Sequence, residues 1–152
     1  MAVRVATEED FKGMHEIFLE VHRFHMDNTD NVFKDIDPIS QDEFRELLST
    51  PECIFLVSDN DGIDGFLNAN IVEKNSKFTG FKRILMIEQL GVTKKSQKSG
   101  IGRQLMEKAE QIAKEKGCTM LVLDVWGFNE NAIGFYEHLG FGERTRKLQK
   151  FI

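Results

Sequence analysis

Gln97-Lys98-Ser99-Gly100-Ile101-Gly102-Arg103 lies between two segments of different period. Upstream, Ile84 to Val92 is a mostly apolar run of strand length. Downstream, Leu105, Ala109, Ile112 and Ala113 form a helical stripe that Gly117 stops. The heptapeptide is therefore a strand-to-helix loop. Its glycines let the backbone approach a ligand closely, and the first-turn N–H groups of the helix point outward. Together with the helix dipole they suit a phosphate. Lys94, Lys95, Lys98 and Arg103 add attraction. Taken alone, Gly-x-Gly describes a structural turn equally well. No Gly-Lys-Ser/Thr follows, and a third glycine at dinucleotide spacing is absent, so a Walker loop and a Rossmann fingerprint are disfavoured.

Working outward, Val3 and Val5 alternate as a short edge strand, and Thr7 caps a helix with acidic first-turn residues. Phe11, Met14, Ile17, Phe18, Val21 and Phe24 carry that helix to about Met26. After a polar loop, Ser40-Gln41-Asp42-Glu43 has capping-box spacing and opens a second helix, which Pro51 closes. Cys53–Val57 and Ile63–Val72 read as strands joined at Asp59-Asn60-Asp61-Gly62, residues that tolerate positive φ. A polar turn is expected around Asn75 to Gly80. Met120–Val125 reads as a buried strand, Asn129–Leu139 as a short helix, and Phe141 to Ile152 as the last strands. This order describes one α/β domain over residues 1–152 with a mixed sheet.

The 152 residues are 41% hydrophobic and 30% charged with 2 Pro, which excludes disorder. No run approaches the ~18 apolar residues of a membrane helix, and the acidic N-terminal stretch does not read as a signal peptide. Cys53 and Cys118 stand far apart without a partner at metal-ligand spacing, as buried reduced thiols of a cytoplasmic protein would. The net charge of −5 hides an asymmetry: residues 1–60 hold 14 acidic and 5 basic residues, a net of −9, and residues 61–152 hold 11 and 15, a net of +4. The acidic half argues against nucleic-acid binding by the whole surface.

A second segment makes the first specific. Asn129-x-x-Ala132-x-x-Phe135-Tyr136-Glu137-x-x-Gly140-Phe141 resembles the second motif of the GNAT N-acetyltransferase superfamily, and Gln97-x-x-Gly100-x-Gly102 resembles its pyrophosphate loop. The resemblance is strong over residues 84–141 and rests on element order elsewhere. It implies a mixed central sheet flanked by helices, with a V-shaped cleft where the strand ending near Val92 splays from the one beginning near Met120. Acetyl-CoA would lie there as cosubstrate, without a metal. Its pantetheine would pair with Leu90, Gly91 and Val92, a small residue at Gly91 admitting it closely, and its pyrophosphate would rest on the N–H groups of Lys98, Ser99, Gly100, Ile101, Gly102 and Arg103. Asn129 would reach the pantetheine from the other side. Gln97 stands where arginine is commoner, which removes one charge from the loop.

Acetyl transfer to an amine requires proton removal before attack, donors for the oxyanion and a proton or hydrogen bond for the departing thiolate. Tyr136, the single tyrosine, occupies the family's general-acid position. Glu88 is the candidate base: it interrupts Ile84-Leu85-Met86-Ile87, alternation puts it on the face of Met86 and Leu90, and apolar neighbours would raise its pKa. Relatives acting on polyamines carry a glutamate at this distance before the strand-ending valine. His22 and His25 sit at i, i+3 on the first helix without an evident third ligand, so surface or acceptor-side roles outweigh a metal site. His138 reads as solvent-facing. Trp126 and Phe128 would line the mouth of the cleft or close the core.

In the family the first two helices and their connection shape the acceptor site. Here Asp27 to Asp37 carries four aspartates and one lysine. A cationic primary amine, small molecule or peptide N-terminus, is the expected acceptor. The competing function is a noncatalytic acyl-CoA-binding regulatory module. Many relatives pair through their final strands, so a homodimer is compatible with the resemblance.

Overall fold

The computed structural model describes residues 2–30 and 32–152. Its strands are β1 (Ala2–Val5), β2 (Cys53–Asp59), β3 (Ile63–Ser76), β4 (Gly80–Val92) and β5 (Met120–Leu123), and its helices α1 (Phe11–Asp27), α2 (Gln41–Ser49), α3 (Ile101–Glu115) and α4 (Glu130–His138). The five strands lie in one open sheet in chain order, β1-β2-β3-β4-β5. The first three pairings are antiparallel and β4 with β5 is parallel, which makes the sheet mixed.

Alternation along β2 and β3 divides the core in two. Leu56, Leu67, Ala69, Leu85 and Ile87 face Leu105, Ala109 and Ala113 of α3. Phe55, Val57 and Phe66 face Met14, Ile17 and Phe44 of α1 and α2. Phe66 stacks on Phe18 with ring centroids 5.3 Å apart and on Phe55 at 5.8 Å. The Ser40 capping box is present: Ser40 Oγ accepts from the Glu43 amide at 3.1 Å, and Glu43 Oε1 accepts from the Ser40 amide at 3.1 Å.

Four sequence expectations are corrected. The segment 141–152 forms no strand; backbone hydrogen bonding among the described residues stops at Phe141, whose N–H donates to Tyr136 O. β5 ends at Leu123 and is half-buried throughout, because its outer edge has no neighbouring strand. β3 runs four residues past its expected end at Val72, to Ser76, and the turn falls at residues 77–79, within the expected Asn75–Gly80 stretch. In that two-sided ribbon Glu73 pairs across from Arg83, and their side chains form an ion pair of 2.6 Å. Both cysteines are free but only half-buried.

Arg4 ties the first strand to the start of α1. Its guanidinium donates to both oxygens of Asp10 at 2.8 Å and to Asp59 at 2.9 Å, and the Thr7 N–H donates to Asp10 at 2.8 Å. The hydrogen bonds from Arg4 hold the Asp10 carboxyl below the ordinary carboxylate range. A folded value below the unfolded ~3.9 means the stabilisation is fully present above about pH 4 and is lost as pH falls through the lowered value. Asp10→Asn is therefore expected to cost about 1–2 kcal/mol at pH 7, with Arg4 partly solvated. In urea titrations the gap between variant and parent should close as pH drops below about 4; a gap constant with pH would contradict this account.

Candidate active site

β4 and β5 pair from Ile84↔Met120 to Ile87↔Leu123 and no further, although β4 runs on to Val92. Residues 88–92 of β4 therefore bond only to β3, and a gap opens beyond Ile87. At this point the β3–β4 register slips: Asn68 faces Gln89 and Ala69 faces Ile87, so Glu88 is the extra residue of a β-bulge.

The bulge inverts which residues face which core. Leu90 and Val92 pack with Leu85 and Ile87 against the α3 cluster. A Cβ built on Gly91 would meet Phe66 Cε1 at 2.7 Å, Ile17 Cγ2 at 3.0 Å and Val21 Cγ2 at 3.1 Å. Two expectations change. The space at Gly91 is taken by α1 and Phe66, leaving its backbone for any ligand contact. Glu88 does not share a face with Leu90. It is exposed, and its Oε1 accepts from Asn70 Nδ2 at 3.4 Å, so the apolar enclosure expected around it is absent. Burial, and then the Glu88 charge, push up the nearby Cys53 thiol.

At the other end of the gap the chain turns through Lys98 (φ 65°) and Gly100 (φ 90°) into α3. Positive φ is the reason for glycine at position 100. Ser99 N–H donates to Ser96 O and Gln97 N–H to Lys94 O. The amides of Lys98, Gly100, Ile101, Gly102 and Arg103 have no protein acceptor among the described residues. These free donors stand at the positive end of the α3 dipole, with Lys98 and Arg103 exposed beside them. Arg103 also lies 3.6 Å from Glu107.

α4 supplies the opposite wall. Asn129 caps it, its Oδ1 accepting from the Ala132 N–H at 3.2 Å, which leaves the amide Nδ2 uncommitted. Tyr136 packs edge-on against Phe135 and Phe141, with centroids 5.3 and 5.7 Å apart. It meets the same core cluster as Leu90 and Leu123. Burial pushes its phenol up to about 12, so it is a protonated O–H donor throughout the physiological range. Gly102 sits where a Cβ would meet Phe135 at 3.1 Å, which brings α3 close to α4.

On the face of the sheet opposite α3, a cavity of about 290 Å³ opens between α1 and α2. Asn68 lines it together with Phe18, Leu47, Glu43 and Glu46. Asn68 is 7% exposed; its Oδ1 accepts from Cys53 Sγ at 3.5 Å. Asn68 and Asn70 were not singled out from sequence. Their signal was the alternate polar interruption of Phe66-Leu67-Asn68-Ala69-Asn70-Ile71. The acidic connection after α1 is folded back onto that helix. His15 Nε2 contacts Asp37 Oδ1 at 2.9 Å, and His22 Nε2 meets Lys34 O at 2.7 Å; Asn31 lies outside the described residues. Phe33, Trp126, Phe128 and His25 form an aromatic cluster joining α1 to the segment after β5. Burial there lowers the His25 pKa. His138 is exposed, with its Nδ1 2.7 Å from Gly134 O. Among the described residues no three His, Cys, Asp or Glu side chains cluster as metal ligands, and no helix is long and apolar enough to cross a membrane.

Residues 8–141 match the family model described as acetyltransferase (GNAT) family. An uncharacterised N-acetyltransferase of the pepI 3' region of Lactobacillus delbrueckii subsp. lactis is 32% identical over 67% of this chain, and the match spans 59% of that protein's length. N-alpha-acetyltransferase 30 of Schizosaccharomyces pombe is 28% identical over 86% of both chains. Among solved structures, a tetramutant of the BH1408 protein from Bacillus halodurans superposes with a TM-score of 0.95 at 22% identity, covering 100% of both chains, the segment 142–152 included. The aminoglycoside N-acetyltransferase AAC(6')-Iy, in complex with CoA, superposes with a TM-score of 0.80 at 17% identity over 99% of this chain and 93% of its own.

Proposed function

Because the chain belongs to the acetyltransferase (GNAT) family, we propose that, as a single domain over residues 1–152, it moves an acetyl group from acetyl-CoA to a primary amine by direct attack in a ternary complex. The observation that carries this reading is the gap beyond Ile87 and Leu123, flanked by the free amides that open α3. One element offers an unpaired strand edge and the other an anion site, as an acyl-pantetheine joined to a pyrophosphate requires. The CoA bound in a solved neighbour of the same fold agrees with it.

In this reading Leu90, Gly91 and Val92 hold the pantetheine by their backbone groups. The amides of residues 98–103, apart from that of Ser99, hold the pyrophosphate. Gln97 and Asn129 Nδ2 border the cofactor. Glu88, projected by the bulge, takes a proton from the amine through water. The free amine attacks the thioester carbon, and N–H groups on the open edge of β4 stabilise the oxyanion. Collapse of that intermediate breaks the C–S bond; the Tyr136 phenol gives its proton to the departing sulfur, and the phenolate recovers one, through water, from the nitrogen as the amide forms. The acceptor is a cationic amine, small molecule or peptide N-terminus, entering by the cavity that Glu43, Glu46 and Asn68 line. Asn68 pairs across the ladder with Gln89, beside the bulge. The carboxylates of α2 thus replace the loop aspartates as the feature that supports a cationic acceptor.

The test is CoA-thiol release from acetyl-CoA across a panel of cationic, neutral and acidic amines, with Glu88→Gln alongside. Turnover concentrated on cationic amines is expected. Glu88→Gln should lose about tenfold to a hundredfold in kcat near neutrality and recover as rising pH deprotonates the amine. Acetyl-CoA binding without thiol release from any amine would leave the binding-module reading standing instead. Turnover confined to neutral or acidic amines would overturn the cationic acceptor.

A further inference from the structure

Asn70 is an unfavourable residue for its place. β3 is an inner strand, and at Asn70 it is paired on both sides, with Cys53 of β2 and Met86 of β4. Asparagine is depleted in strands, where β-branched and aromatic side chains pack best, and its neighbours Ala69 and Ile71 are buried in the core. Two ladders fix its backbone, so its half-buried side chain has few directions to take. The direction it takes is diagonal. Glu88 lies two residues past Met86 along β4, within reach across the ladder, and Asn70 Nδ2 donates to Glu88 Oε1 at 3.4 Å. An ionised carboxylate only accepts, so the nitrogen of the amide, and not its oxygen, faces Glu88. Glu88 makes no other side-chain hydrogen bond among the described residues. Exposed on the bulge, it is a flexible side chain with a single tether. That tether occupies one carboxylate oxygen and leaves Oε2 free to take a proton.

We propose that Asn70 is a positioning residue for acetyl transfer: its amide anchors Oε1 of Glu88 over β3, so that Oε2 meets the water relaying the amine's proton in one orientation. The inference rests on the reading of Glu88 as the base. Asn70 touches no reacting atom and acts only through that carboxylate. Without the anchor Glu88 spreads over its staggered rotamers, and the rate falls with the fraction that keeps the productive one. The donor is matched to the task, because an amide N–H favours the ionised carboxylate that a base requires.

A double-mutant cycle in kcat tests this, with Asn70→Ala, Glu88→Gln and the double variant assayed on acetyl-CoA and a cationic amine. Asn70→Ala should lose about fivefold to tenfold in kcat in the parent and less than about twofold in the Glu88→Gln background, with CoA affinity unchanged. Asn70→Asp separates positioning from packing. It keeps the side-chain shape but sets a second carboxylate against the first, so its loss should exceed that of Ala. The contact itself has a readout independent of turnover: the side-chain amide signal of Asn70 in a ¹⁵N spectrum should move on Glu88→Gln. An equal loss from Asn70→Ala in both backgrounds, a milder effect of Asp than of Ala, or an unmoved amide signal would each overturn the positioning role while leaving Glu88 as base. Glu88→Gln at the parental kcat, or no turnover with any amine, would instead remove the base and the positioning role with it.

Discussion

Tyr136→Phe should reduce kcat by about 10²-fold, the lower end of the range for losing a general acid, because a thiolate is already a competent leaving group near neutrality. The phenol is well suited to this loss being visible. Burial pushes it up to about 12, so it holds its proton wherever the protein is folded and assayed. Among the described residues its hydroxyl has no hydrogen-bond partner, and the ring is fixed by Phe135 and Phe141 on its edges. Removing the oxygen therefore leaves packing intact. The urea midpoint should remain near that of the parent, and CoA affinity by calorimetry should change less than about threefold, within the range of a lost weak contact. An unchanged kcat would remove Tyr136 from the chemistry. A fall in kcat accompanied by an equal loss of CoA affinity would make it a binding group instead.

The largest effect on stability is expected at Phe66, where truncation to Ala should cost about 3–5 kcal/mol. Phe66 is fully buried between Phe18 and Phe55, and it also fills the space that a side chain at position 91 would need. Gly91→Ala alone should cost about 1–3 kcal/mol through overpacking against Phe66, Ile17 and Val21. The two are coupled. With Phe66 truncated, the methyl group enters the vacated space, and the double variant should be more stable than the sum of the single losses by about 1 kcal/mol or more. Strict additivity in a denaturant cycle would show that α1, not Phe66, sets the limit at Gly91.

Much of this architecture was legible in local chemistry. Ser40 through Glu43 announced α2 because a capping box satisfies two amides from within four residues. Gly100 announced the entrance to α3 because positive φ selects glycine. What sequence could not locate depends on partners distant along the chain. The one-residue slip opposite Asn68 and Ala69 changes the facing of everything after Glu88, and alternation read along a single strand has no term for it. Phe141 to Ile152 reads as a strand because strand propensity reports the segment alone, whereas a strand needs a hydrogen-bonded neighbour, and residues 142–152 pair with none among the described residues. Acidic residues are most evident along the chain in the loop after α1. The cavity instead borders Glu43 and Glu46 of α2, and Asp37 lies against His15.

The bulge at Glu88 gives β4 something like a reading frame. Before it, odd-numbered residues serve the α3 core; after it, even-numbered ones do. A one-residue deletion at that point would remove the bulge and keep Leu90 and Val92 toward α3, whereas closing the bulge at unchanged length would turn both toward α1 and Gly91 toward the α3 core. Length at this position is thus as much a part of the strand's information as composition.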